Sequence, residues 1–126
     1  MLMIAVPCKN SRGLNSEIEE HFGRAKFFAL VEVEGDKIKG VDFLEAPAEH
    51  SPGELPEMLR KRGVEVVLAY GMGPRAIQLF KSYGIRVVTG AKGEVGEVVE
   101  KIVKGELEIE KDWMLKGGFK RHEHWI

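Results

Sequence analysis

The segment Val64-Glu65-Val66-Val67-Leu68-Ala69 is an almost unbroken apolar run rich in β-branched residues. A strand with one wet face alternates apolar and polar residues. A run like this one belongs to a strand covered on both faces, the usual situation in a parallel sheet layered between helices. The flanking sequence supplies the helices. Gly53 to Arg62 places Leu55, Met58 and Leu59 on one face, with Pro56 in its first turn and Gly63 as its stop. Gly73-Pro74 opens a second helix, with Ile77 and Phe80 inward, and Gly84 closes it. Ile85 to Val88 is a short strand. From Glu94 to Lys104, Val95, Val98, Val99, Ile102 and Val103 follow the i, i+3, i+4, i+7, i+8 spacing of a third helix.

The first half has a different rhythm. Leu2 to Val6 is an apolar run that predicts a strand ending at Pro7. Asn10 to Ser16 reads as a loop. Ser16 and Glu19 have capping-box spacing, which predicts a helical turn over Glu17 to His21 that stops at Gly23. Phe27 to Val33 and the alternating Lys37 to Leu44 flank Gly35-Asp36, a hairpin pattern. Pro47 to Pro52 is a loop containing His50. The expected order is β-β-β, then α-β-α-β-α: an α/β fold with a mixed five-stranded sheet, its first three strands antiparallel and two more parallel. Residues 1–107 would form this domain. Residues 108–126 would be a charged tail carrying Trp113 and His122-Glu123-His124-Trp125.

Charge and cysteine content narrow the function classes. The 126 residues include 19 basic and 20 acidic side chains, a net charge of -1. That balance lacks the basic excess of a general nucleic-acid binder. The apolar runs are too short and too charged to span a bilayer, so no membrane role is expected. Cys8 is the only cysteine, which excludes an intramolecular disulfide and suits a reducing cytoplasm. Gln78 is the only glutamine, and Asn10 and Asn15 are the only asparagines, among many Glu and Lys residues. This composition resembles a thermophile's surface.

Ligands of open α/β sheets collect beyond the carboxyl ends of the parallel strands. Three loops follow such ends: Pro7 to Ser16, Gly71 to Arg75, and Gly90 to Gly93. In Gly71-Met72-Gly73-Pro74-Arg75, two glycines let a ligand approach the backbone. The helix start offers unpaired amides and Arg75 adds a fixed positive charge, so the turn suits an anion. The same glycines also serve a tight strand-to-helix turn. The match of Gly71 to Ala76 to a dinucleotide fingerprint is formal only, because Val88-Thr89-Gly90 stands where an acidic ribose-binding residue belongs.

His21-Phe22-Gly23-Arg24-Ala25 puts an imidazole and a guanidinium beside a flexible glycine. The first can ligate a metal and the second can hold an anion in a bidentate fork. A capped turn with a locally satisfied histidine fits the same residues. Cys8 is either a metal ligand or a small packing residue. His50, His122 and His124 read as solvated surface histidines. No local zinc-site or catalytic-triad signature is present.

Taken together, Ile4-Ala5-Val6-Pro7, Gly13-Leu14, Glu20 to Ala25, Gly63-Val64, Gly71 to Ala76 and Gly84-Ile85 resemble the dinitrogenase iron-molybdenum cofactor biosynthesis family over roughly residues 1–107. That family includes NifX-like carriers and the C-terminal domain of NifB-like proteins. The resemblance implies a ribonuclease H-like fold and non-enzymatic binding of an iron-sulfur or iron-molybdenum cluster or its precursor. Within it, His21, Gly23 and Arg24 match the His-Phe-Gly-Arg segment, and Gly71, Gly73, Pro74 and Arg75 match the glycine-rich turn. It further implies cluster donor and acceptor proteins as partners of a monomer or weak homo-oligomer. Leu2 to Val6 carries no carboxylate, so a metal-dependent nuclease site is not expected. Two readings from other classes stand beside the carrier: a scaffold domain that docks a protein through its tail, and a small-anion or nucleotide binder that uses only the Gly71 to Arg75 turn.

Overall fold

The computed structural model describes residues 2–47 and 53–104. The strands are β1 (Leu2–Cys8), β2 (Phe27–Glu34), β3 (Lys37–Glu45), β4 (Val66–Leu68) and β5 (Arg86–Val88). The helices are α1 (Glu54–Lys61), α2 (Pro74–Ser82) and α3 (Val95–Val103). They build one mixed five-stranded sheet in the order β3-β2-β1-β4-β5. β2 pairs antiparallel with β1 and β3, while β1–β4 and β4–β5 are parallel. No helix among the described residues is long and apolar enough to cross a membrane.

Alternation along the strands divides the core between two layers. Ile4, Val6 and Cys8 of β1 point to one face and join Val66, Leu68 and Val88 beneath Val95, Val98 and Val99 of α3. Ala5, Phe28, Leu30 and Val67 point to the other, against Leu55 and Leu59 of α1 and Phe80 of α2. The run at residues 64–69 is buried at Val64, Val66, Val67, Leu68 and Ala69 because β4 is flanked by strands and covered on both faces. Gly63 and Gly84, which follow α1 and α2, take φ of +83° and +77°, the left-handed conformation that ends helices at low steric cost. Pro56 falls in the first turn of α1, where its missing N–H breaks no helical hydrogen bond.

Two local expectations fail. β1 does not stop at Pro7. It runs to Cys8, with Pro7 opposite Phe28. The lost donor costs little there, because the Pro7 carbonyl still accepts from the Glu19 amide at 2.9 Å.

The helical turn over Glu17 to His21 is also absent. Gly13–Asn15 forms a 3-10 turn instead, and the chain then runs extended, with bridges Cys8–Ile18 and Glu17–Glu94. Ser16 does not cap forward. Its hydroxyl accepts from the Arg12 amide at 2.7 Å and donates to the Gly13 carbonyl at 2.8 Å. Long-range pairing prevails over the local signal because it buries Ile18, 3% exposed, while the Ile18 amide donates to the Gly93 carbonyl. An isolated helical turn offers no comparable burial.

A cavity between two loops

The extended segment after Glu17 leads to a second 3-10 turn, Phe22–Arg24. Phe22 anchors this turn. Its ring meets Phe80 edge to face at 5.5 Å and Phe28 at 5.6 Å with a 58° tilt. Each such aromatic pair contributes about 0.5–1.5 kcal/mol beyond area burial. Fixing Phe22 fixes its neighbours, and His21 makes a backbone bridge with Gly71 in the loop after β4. Two segments fifty positions apart in sequence thereby share one wall.

They enclose a cavity of about 500 Å³. Its lining comes from Glu20, His21, Phe22 and Gly23; from Gly71, Met72, Gly73, Arg75, Ala76, Leu79 and Phe80; and from Leu55 and Pro56 of α1. At the start of α2, Gly73 is extended, Pro74 occupies the first turn, and no side chain caps the helix. The first amides and the positive end of the helix dipole are therefore open to an anion. Arg75 is exposed and has no acidic partner among the described residues. Glu20 is the one carboxylate in the lining and opposes an anion from its side.

The three glycines of the lining that the sequence singles out are informative. A Cβ added at Gly23, Gly71 or Gly73 would meet no protein atom within 4 Å, and none of the three has positive φ. Neither packing nor backbone conformation demands glycine there. What the missing side chains leave is bare backbone facing the cavity.

The other residues of interest lie elsewhere. Arg24 lines a neighbouring depression with Lys26 and Glu45, joined to the cavity through Gly23. The Gly90 to Gly93 loop is tied back by amide bonds from Gly90 to Tyr70 and from Ala91 to Ala69, and does not line the cavity. His50, His122 and His124 lie outside the described residues.

Cys8 sits in the core layer under α3, fully buried, its thiol donating to the Val6 carbonyl at 3.2 Å. Burial pushes this thiol up from 9.0 to about 11, against a smaller lowering by a backbone hydrogen bond from Ala29. Metal ligation and nucleophilic attack need the thiolate. A raised thiol has a stability consequence. The unfolded chain loses its proton from about pH 9, while the folded chain keeps it to about pH 11, so stability is whole below pH 9 and falls as pH rises. Burial also holds the Arg86 guanidinium down at about 10, against the attraction of Glu65, and that group acts in the opposite sense at higher pH. The clean window is thus pH 9–10, where the thiol alone costs about 1.4 kcal/mol. Urea midpoints should fall more steeply across this window in the wild type than in Cys8→Ala. Parallel slopes would assign the loss to other groups.

Sequence reasoning did not find Leu55, Pro56, Met72 or Leu79 as cavity residues. Ala76, Leu79 and Phe80 have the spacing of one helix face, which was the available signal. Among the described residues, no three His, Cys, Asp or Glu side chains gather to hold a metal ion.

An α/β domain with a cavity at the strand ends, ringed by an imidazole, a free guanidinium and a helix N-terminus, is the architecture of a small binding protein. The chain belongs to the dinitrogenase iron-molybdenum cofactor family, whose pattern matches residues 3–105. It is 30% identical over 112 residues to the protein MJ0580 of Methanocaldococcus jannaschii, covering 86% of this chain and 91% of that one. Among solved structures, PH0822 is 40% identical with a TM-score of 0.79, covering 89% of this chain and 99% of the other. The apo form of the orange protein from Desulfovibrio gigas, 24% identical, shares the fold with a TM-score of 0.72 over 84% and 90% of the two chains.

Proposed function

We propose that this protein is a non-enzymatic carrier whose cargo is a preassembled, anionic metal–sulfur cluster, iron-sulfur or iron-molybdenum, or a precursor of one. The observation that carries this reading is the set of three glycines, Gly23, Gly71 and Gly73, whose absent side chains serve no packing need and bare the backbone toward one cavity. Family membership supplies the chemical class of the cargo.

The donor set fits a cluster better than a single ion. With no three ligating side chains together among the described residues, a bare metal ion would find no cage. A preformed cluster brings its own bridging sulfides and needs only charge neutralisation and one or two protein contacts. His21 would supply an imidazole to iron. Arg75 and the first amides of α2 would offset negative charge, as would Arg24 at the adjoining rim. Cys8 takes no part in this scheme, since its thiol is buried on the other face of the sheet. Cluster donors and acceptors would be its partners. The reading carries a ribonuclease H-like assignment of the sheet, supported by its antiparallel first three strands and parallel β1, β4 and β5.

Anaerobic reconstitution with ferrous iron and sulfide, with and without thiomolybdate, tests it. The wild type should gain a visible chromophore with stoichiometric metal. His21→Ala and Arg75→Ala should each weaken uptake about tenfold, the scale of a lost charge-assisted contact. Gly73→Val should block uptake while leaving the melting midpoint unchanged. A wild type that takes up no cluster under any of these conditions would overturn the proposal.

A further inference from the structure

We propose that Glu106 to Glu110 pairs with the free edge of β3 as a sixth strand, parallel to it. β3 is 9 residues long and lies at the edge of the sheet. An edge strand leaves a row of backbone donors and acceptors without sheet partners. Its Ile38, Val41 and Phe43 are only partly buried against the α3-side core, as are Ile102 and Val103 at the end of α3. The chain leaves α3 in the right place. Lys104 lines a groove of about 560 Å³ together with Leu14, Asp36, Lys37, Ile38 and Glu100. The chain after Lys104 therefore starts beside the first residues of β3.

The sequence that follows, Glu106-Leu107-Glu108-Ile109-Glu110, alternates strictly between acidic and apolar residues, the pattern of a half-buried strand. Leu107 and Ile109 would extend the apolar row of Ile38, Val41 and Phe43. Topology agrees. The crossovers β3-α1-β4 and β4-α2-β5 step one way across the sheet with their helices on one face. A connection from β5 back past β3, with α3 on the opposite face, has the same hand.

Features of the edge also select this occupant over a second copy. In the β2–β3 pairing, Glu32 faces Gly40 and Val33 faces Ile38, so Lys39 is the extra residue of a bulge. Bulges and lysines keep foreign strands off an edge, and two copies of β3 would bring Lys37 and Lys39 together. An acidic strand meets the same lysines favourably. Beyond the bulge, Gly40 to Leu44 is regular, and five residues at about 3.3 Å each match it in length.

Amide hydrogen exchange and nuclear Overhauser contacts on the full chain test this. Glu106 to Glu110 should show cross-strand contacts to Gly40 to Leu44 and protection at least tenfold above free peptide. Ile109→Pro should remove that protection and lower protection along β3, leaving β1 and β4 unchanged. The milder double variant Leu107→Asp/Ile109→Asp should do the same. Free-peptide exchange at 106–110 in the wild type would overturn the proposal. So would β3 protection that vanishes on dilution, which would place a second copy on the edge.

Discussion

Phe80→Ala should lower the unfolding free energy by about 3–5 kcal/mol, the usual cost of emptying a buried aromatic site. Phe80 is 1% exposed and stands under both the α2-side core and the cavity. Its carbonyl accepts from the amides of Tyr83 at 3.0 Å and Ile85 at 2.9 Å, so the backbone around it is held by the helix end and cannot collapse readily into the void. The loss has a second component. Phe22 would keep only Phe28 as an aromatic neighbour, and the turn that holds His21 and Gly23 would loosen. Urea unfolding should show the lower stability with an unchanged m-value. Exchange of the His21 to Ala25 amides should accelerate beyond the global change. A loss under 1 kcal/mol would mean that Phe80 is not the pillar described here.

The second large effect concerns the opposite face. Gly96 lies in the first turn of α3, and a Cβ there would meet the Leu14 Cβ at 2.9 Å and its carbonyl oxygen at 3.2 Å. Replacing a helical glycine with alanine ordinarily gains about 1 kcal/mol, which conceals part of such a clash. Gly96→Val removes the ambiguity. It should destabilise by about 1–3 kcal/mol, the cost of overpacking, by pushing α3 from the Gly13–Asn15 turn. The double variant with Leu14→Gly removes one of the two clashing atoms and should recover part of the loss. Additive effects in that cycle would place the damage outside this contact.

The sheet and helices were legible because each element carries its own period and its own stop. The β-branched run at β4, the valine stripe of α3 and the glycines after α1 and α2 are local statements about local structure. Ser16 to His21 misled for the opposite reason. Its capping pattern is equally local, but Ile18 finds core and a backbone partner on Gly93 far along the chain. The cavity was half legible. His21 and the Gly71 to Arg75 turn stand out as residue types with chemistry. Leu55, Pro56 and Leu79 are ordinary apolar residues whose place in the lining depends on where two helices meet. That Arg24 faces a neighbouring depression could not be read from its position beside Gly23.

The pairing of β1 with antiparallel β2 on one side and parallel β4 on the other has a further consequence. The chain leaves β1 toward β2 and leaves β4 toward β5, so the two connections part company above adjacent strand ends. A crevice opens wherever neighbouring connections diverge in this way. The location of the binding site is thus a property of connectivity, set before any side chain is chosen. Its lining can be rewritten for a different cargo without disturbing the sheet that creates it.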